Sequence, residues 1–129
     1  MHTIQINGIE HSYTDAQVIT FAEGLVGLPN LRRAVLIPLA EFEPFSWLAS
    51  VDDESGQFVV VDPRCIYDDY EPTPAGETAE TFAIVTIHSN WLQTTVNLRA
   101  PIVVDRATQS GVQRILNDSP YSLAEVIPH

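Results

Sequence analysis

Short apolar runs, each broken by a turn residue, set the rhythm of this chain. Ile4 and Ile6 alternate with polar neighbours, Asn7-Gly8 supplies the positive-φ pair of a two-residue turn, and Ile9 starts the return, so residues 3–13 read as a hairpin. Val18-Ile19-Thr20-Phe21 reads as the next strand, and Val35-Leu36-Ile37 before Pro38 as a short buried strand ending at an edge. A strand from about Phe45 to Val51, the polar turn 52–56 and the run Gln57–Val61 make a second hairpin. Thr81–His88, mostly β-branched, is the clearest strand of all. Gln93–Asn97, Val112–Leu116 and Ser122–Ile127 complete the set.

Helical periodicity is nearly absent, because proline or glycine interrupts each candidate stretch. Many short strands with turn signals roughly every eight to twelve residues argue for a sandwich or a barrel. A barrel is favoured because closure removes sheet edges. The expected architecture is all-β: a small antiparallel β-barrel-like single domain over residues 1–129 with little helix.

Three irregular stretches stand out. Glu23-Gly24-Leu25-Val26-Gly27-Leu28-Pro29-Asn30 carries two glycines and a proline, which rule out a regular element, yet it holds three large apolar residues. Leu25, Val26 and Leu28 either plug one end of the core or form an exposed surface. Plugging is the expectation, since contiguous apolar residues are mostly buried. Asp62-Pro63 stops a strand, and the proline-rich acidic segment up to Thr78 is loop chemistry, with Tyr67 and Tyr70 placed to pin it. In Thr95–Asp105, two β-branched pieces flank Pro101, which donates no ladder hydrogen bond and holds Ala100 extended. The chain is expected to bend there and change its pairing partner. Asn97, polar between Val96 and Leu98, is placed to bond nearby backbone as asparagine does in turns.

Composition narrows the partners. Seventeen acids face six bases, all arginine, for a formal charge of −11, so phosphate-neutralising affinity for nucleic acid or an anionic membrane is disfavoured. A basic protein would be attracted instead. A single cysteine, Cys65, excludes an intrachain disulfide, and the N-terminus lacks a basic segment followed by a long apolar one. No apolar run approaches the roughly 20 residues needed to span a bilayer. The cytoplasm is the expected location.

Chemistry finds little support. His2, His11, His88, His129 and Cys65 lie far apart with no metal-ligand spacing. Asp52-Asp53-Glu54 lacks the alternating ligands of a calcium loop, and Gly24-Leu25-Val26-Gly27 matches no phosphate loop. Ser46, Ser50 and Ser55 have no base paired with them in the sequence. Neither enzymatic activity nor a cofactor is expected.

Several blocks, in order, resemble the flagellar assembly factor FliW family of bacteria. They are Ile19–Pro29, with Phe21 ahead of the Gly24, Gly27 and Pro29 turn; Pro44–Asp53; Phe58–Val61 ending in Asp62-Pro63; and Thr95–Val104, holding Asn97-Leu98-Arg99-Ala100-Pro101, followed by Gly111-Val112-Gln113. Phe21, Gly24, Gly27, Pro29, Asp62, Pro63, Asn97, Leu98, Ala100 and Pro101 are expected to be structural. The resemblance implies a non-catalytic, monomeric, cytoplasmic β-barrel that binds flagellin and the translational regulator CsrA and relieves CsrA repression of flagellin mRNA. Leu25, Val26 and Leu28 are the expected flagellin contacts, and Asp52, Asp53 and Glu54 the expected CsrA contacts. The contrasting reading is a barrel holding a small apolar ligand among Phe42, Phe45, Trp47 and Phe58.

Overall fold

A computed structural model describes residues 1–6, 8–26, 28–39, 42, 44–52, 56–67, 79–115 and 122–126. Eleven strands run in order: β1 (His2–Ile6), β2 (Ile9–Tyr13), β3 (Ile19–Thr20), β4 (Arg33–Pro38), β5 (Ser46–Ser50), β6 (Gln57–Val61), β7 (Ala79–Thr86), β8 (Thr95–Val96), β9 (Ile102–Asp105), β10 (Ser110–Gln113) and β11 (Glu125–Val126). The helical content described is three single 3-10 turns, at Asp15–Gln17, Pro63–Cys65 and Trp91–Gln93.

Strands β7-β6-β5-β4-β3-β10-β9 form a continuous ladder, and β9 pairs back onto β7, closing a seven-stranded barrel. Among the described residues the pairings are antiparallel except at the seam between β3 and β10, where Thr20 meets Ser110 in parallel. The seam rests on a carbonyl at an unusual backbone position. Gln109 adopts φ 52°, its carbonyl accepts from Thr20 N at 2.9 Å, and its side-chain amide donates to Ala16 O at 2.9 Å.

Alternation along each strand sorts the core into layers. Ala34 and Leu36, Leu48, Phe58 and Val60, Phe82 and Ile84, and Ile102 and Val104 fill the barrel with Ile19, Phe21, Leu25 and Leu31. The opposite positions of β4 and β5, Val35, Ile37 and Ala49, are covered by Ile4, Ile6 and Tyr13 of the β1–β2 hairpin. The outer faces of β6 and β7 (Val59, Val61, Ala83 and Val85) are covered by Val96, Leu98, Phe45, Ile66 and Tyr67. Strands with both faces buried need no polar alternation, which is why Val59-Val60-Val61 reads as one apolar run. The β1–β2 hairpin has one wet face and alternates visibly.

The hairpin has the expected two-residue turn: Ile6 pairs with Ile9, and Gly8 takes φ 80°, while Asn7 lies outside the described residues. His2 Nε2 meets Asp15 Oδ1 at 2.7 Å and ties the hairpin to the first 3-10 turn. Tyr67 joins the outer cluster as expected of a pinning residue. Tyr70 and the rest of that loop, residues 68–78, are outside the described residues, as are Leu116 and Ile127 at the ends of two expected strands.

The Thr95–Asp105 bend differs from expectation in one respect. Both of its pieces stay on β7: Val96 pairs with Val85, and Ile102 with Phe82. Residues 97–101 therefore lie opposite Ala83 and Ile84 alone and bulge out of the ladder. The partner changes only on the outer edge, from β11 beside β8 to β10 beside β9. Keeping β7 on one side lets the barrel close while the strand shifts register.

Candidate partner-binding surface

Gly24 controls the exposed loop between β3 and β4. Its φ is +69°, and a Cβ there would lie 2.6 Å from the carbonyl oxygens of Leu28 and Pro29, so glycine is required twice over. Beyond it the chain folds into a tight turn, in which Leu25 N donates to Leu28 O at 3.0 Å and Leu28 N to Leu25 O at 2.8 Å. Such a narrow turn cannot bury all three apolar side chains. Leu25 points into the barrel at 4% exposure, whereas Val26 and Leu28 are 59% and 39% exposed. The plugging expectation holds for Leu25 alone. Conversely, Leu25 is unavailable as a contact residue. Gly27 lies outside the described residues, and Pro29 is exposed.

Beside this turn lies an open groove of about 390 Å³ between Ala22–Val26 and Gly111–Gln113. Val26 and the 39%-exposed Val112 give it an apolar rim, and among the described residues Glu23 is its one charged lining residue. Two features of the Gly111-Val112-Gln113 block build the groove. The fully buried Phe21 ring occupies the space that a Gly111 side chain would need. The Gln113 amide accepts from Val26 N at 2.8 Å and donates to Ala100 O at 3.0 Å. The roles of Gly111 and Gln113 were not evident from sequence, although both stand in a block that carries the family resemblance.

The corner beyond is ordered as its residues predict. Asn97 Oδ1 accepts from Arg99 N and Ala100 N, each at 3.1 Å, and Asn97 N donates to Ile84 O at 2.9 Å. Leu98 and Ala100 are buried, Leu98 N donates to Ser122 O, and the carbonyl of buried Pro101 accepts from Arg114 N at 2.9 Å. At the other end of β6, Asp62 caps a 3-10 turn by accepting from Arg64 N at 2.9 Å, with Pro63 buried at its first position.

The acidic turn lies elsewhere. Asp52 is exposed and forked by Arg33, with Nη2 to Oδ1 at 2.5 Å and Nε to Oδ2 at 3.3 Å. The hydrogen bond and charge of Asp52 raise the Arg33 pKa further. Asp53 and Glu54 lie outside the described residues. The aromatic set proposed for a ligand is divided: Phe58 faces the interior, Phe45 and Trp47 pack outside the barrel, and Phe42 is 62% exposed. No one cavity gathers all four. Cys65 is exposed, and partial burial together with Asp62 pushes its thiol pKa up, the reverse of an activated nucleophile. Among the described residues no three His, Cys, Asp or Glu side chains converge on a metal position, and no helix is long and apolar enough to cross a membrane.

The architecture is that of a closed small β-barrel filled by its own side chains, with an apolar-rimmed groove on its surface. Known proteins of the same architecture give its family. The family model for FliW protein matches residues 6–127. Flagellar assembly factor FliW of Thermotoga petrophila is 32% identical over 130 aligned positions, covering 92% of this chain and 87% of the relative. Flagellar assembly factor FliW 2 of Desulfotalea psychrophila is 32% identical, covering 99% of this chain and 91% of the relative. A crystal structure of the flagellar assembly factor FliW superimposes with a TM-score of 0.88 at 25% identity over 99% of each chain. The chain belongs to the FliW family of flagellar assembly factors.

Proposed function

We propose that this chain acts as a single-domain, monomeric, non-enzymatic regulator in the cytoplasm that binds flagellin and a CsrA-type translational regulator. By occupying CsrA, it relieves repression of flagellin mRNA translation. The observation that supports the flagellin contact is the exposure of Val26 and Val112 together on the rim of one groove, whose two sides are tied by the Gln113 bond to Val26 N, with exposed Leu28 on the same turn. Exposed apolar side chains grouped beside a concave surface are a usual signature of a protein contact. Leu25 supports that surface from below rather than touching a partner.

The CsrA-facing surface is proposed to be the acidic turn of Asp52, Asp53 and Glu54, on a chain of formal charge −11. Opposite charge on a basic RNA-binding partner speeds encounter and favours this protein over nucleic acid. Arg33 tempers the charge of Asp52, which leaves the neighbouring acids to carry more of the attraction.

Co-elution of the purified chain with flagellin and with CsrA from the same genome, at micromolar concentrations on size exclusion, tests the proposal. Val26→Asp is expected to abolish flagellin co-elution and leave CsrA binding intact, and Asp53→Lys the reverse. If neither partner co-elutes, the regulator reading fails. A small molecule extracted in stoichiometric amount from the purified protein would put a carrier in its place.

A further inference from the structure

We infer that Gln113 is a positioning residue that ties the exposed Leu25–Leu28 turn to the 97–101 corner, so that the groove and the corner hold one geometry together. The tie is a property of the free chain. Only its consequence for partner binding rests on the reading of Val26 and its surroundings as a contact surface.

The main-chain N–H of Val26 lies at an exposed tip, where the cross-turn bonds of Leu25 and Leu28 leave it without a local partner. Gln113 supplies one from 87 residues away along the chain. Its carbonyl oxygen faces that N–H and its amide nitrogen faces the Ala100 carbonyl, so both neighbours dictate the same orientation of the amide. The opposite orientation would set donor against donor and acceptor against acceptor.

Gln113 is itself well anchored. It pairs with Ile102 of β9, and the next residue, Arg114, donates to Pro101 O at 2.9 Å. From Ala100 the connection continues through the Asn97 carboxamide, which accepts from Ala100 N, and through Leu98 N to Ser122 O ahead of β11. Three family blocks far apart in sequence thus meet at one side chain. A partner that takes the Val26 N–H for itself, or moves the tip, releases the Gln113 amide from its fixed orientation against Ala100. Loosening the corner releases the tip in return, as any coupling between two sites must be reciprocal.

Two substitutions separate the halves of the tie. Gln113→Leu removes both bonds at similar volume. Gln113→Glu keeps an acceptor for Val26 N–H but, while ionised, has no proton to give Ala100 O. Amide hydrogen exchange at Val26 reads the first bond, and the carbonyl-carbon NMR shift of Ala100, the acceptor, reads the second. In Q113L, exchange at Val26 is expected to accelerate roughly tenfold, the factor that a hydrogen bond of ordinary net strength represents, and the Ala100 carbonyl shift to leave its parent value. In Q113E at neutral pH, Val26 protection is retained and the Ala100 carbonyl takes the Q113L shift. That shift then returns toward the parent value below the carboxyl pKa, because the protonated acid regains a donor, a pH response the parent protein lacks. An unchanged Val26 rate in Q113L, or no pH-dependent recovery at the Ala100 carbonyl in Q113E, overturns the tie. Should Q113L not fold, the Q113E profile decides alone.

The consequence for binding is measured separately by titrating flagellin. Q113L is expected to bind about tenfold more weakly than the parent. If Val26→Asp binds like the parent, the contact-surface reading is wrong, while the exchange data still judge the tie. If Val26→Asp loses binding and Q113L does not, the positioning consequence is overturned.

Discussion

A side chain at Gly111 would begin inside the ring of Phe21: its Cβ would lie 3.0 Å from Cδ1 and Cζ and closer still to Cε1. Phe21 is fully buried in the barrel, so the ring has nowhere to retreat without disturbing Leu25 and Leu31 in the same cluster. Gly111→Ala is expected to destabilise the fold by about 1–3 kcal/mol, the usual cost of overpacking. Denaturant unfolding checks this. In the double variant Gly111→Ala with Phe21→Leu, the two costs should fall short of their sum, since the smaller side chain makes room.

Asn97 caps the bulge with a single oxygen that accepts from two main-chain N–H groups. Asn97→Ala leaves both donors without that partner in a half-buried corner and is expected to cost roughly 1–3 kcal/mol. Asn97→Asp keeps the acceptor and should cost less. A larger loss for Asp than for Ala would show that the oxygen is not what orders the corner.

Leu98, next to it, is 4% exposed and packs in the outer cluster with Val59, Val61, Ala83, Val85 and Val96. Leu98→Ala is expected to cost about 2–5 kcal/mol, because the cavity it leaves closes only partly. Urea denaturation with an unchanged slope and a lower midpoint would be the signature.

The Arg33–Asp52 fork joins two exposed side chains. Exposed pairs are screened by solvent and contribute little to stability. Asp52→Lys should therefore leave the melting temperature close to that of the parent even though it sets two cations side by side. If it also leaves CsrA binding unaltered, Asp52 is outside that interface. A drop in Tm as large as that of Leu98→Ala would make the fork a structural element instead.

Tyr67 donates its phenol to Val126 O at 3.2 Å and so holds β11 against the barrel. Burial first, and then the charge of Glu125, raise its pKa above the ordinary phenol range. A proton held more tightly in the folded state contributes stability that is complete below the unfolded pKa, about 10 for tyrosine. That contribution is lost as the pH rises through the folded value. An ultraviolet titration should show a late ionisation step that Tyr67→Phe abolishes. Amide exchange in β11 should quicken across the same pH range.

Much of the barrel was legible from residue types alone. The strands of the two hairpins, the long Thr81–His88 run and the scarcity of helix among the described residues follow from β-branched runs punctuated by glycine, proline and asparagine. These are local requirements, met by neighbouring residues. The capping role of Asn97 was legible for the same reason: its acceptor and its two donors lie within three residues of one another. The Arg33–Asp52 fork was not, because those two residues are brought together by strand pairing across nineteen positions.

The sequence by itself determined the all-β class, the turn glycines and the ordered blocks that place the chain in its family. Only the tertiary structure decided what those blocks do together. Leu25, Val26 and Leu28 look alike in sequence, and the +69° backbone at Gly24 with the tight turn after it sends one inward and leaves two outside. Gln113 looks like any exposed strand residue until barrel closure brings Val26 and Ala100 to either side of it. Local backbone preference is written in adjacent residues. Burial and long-range hydrogen bonds depend on which distant segment arrives on each face of a strand, and that is settled only when the barrel closes.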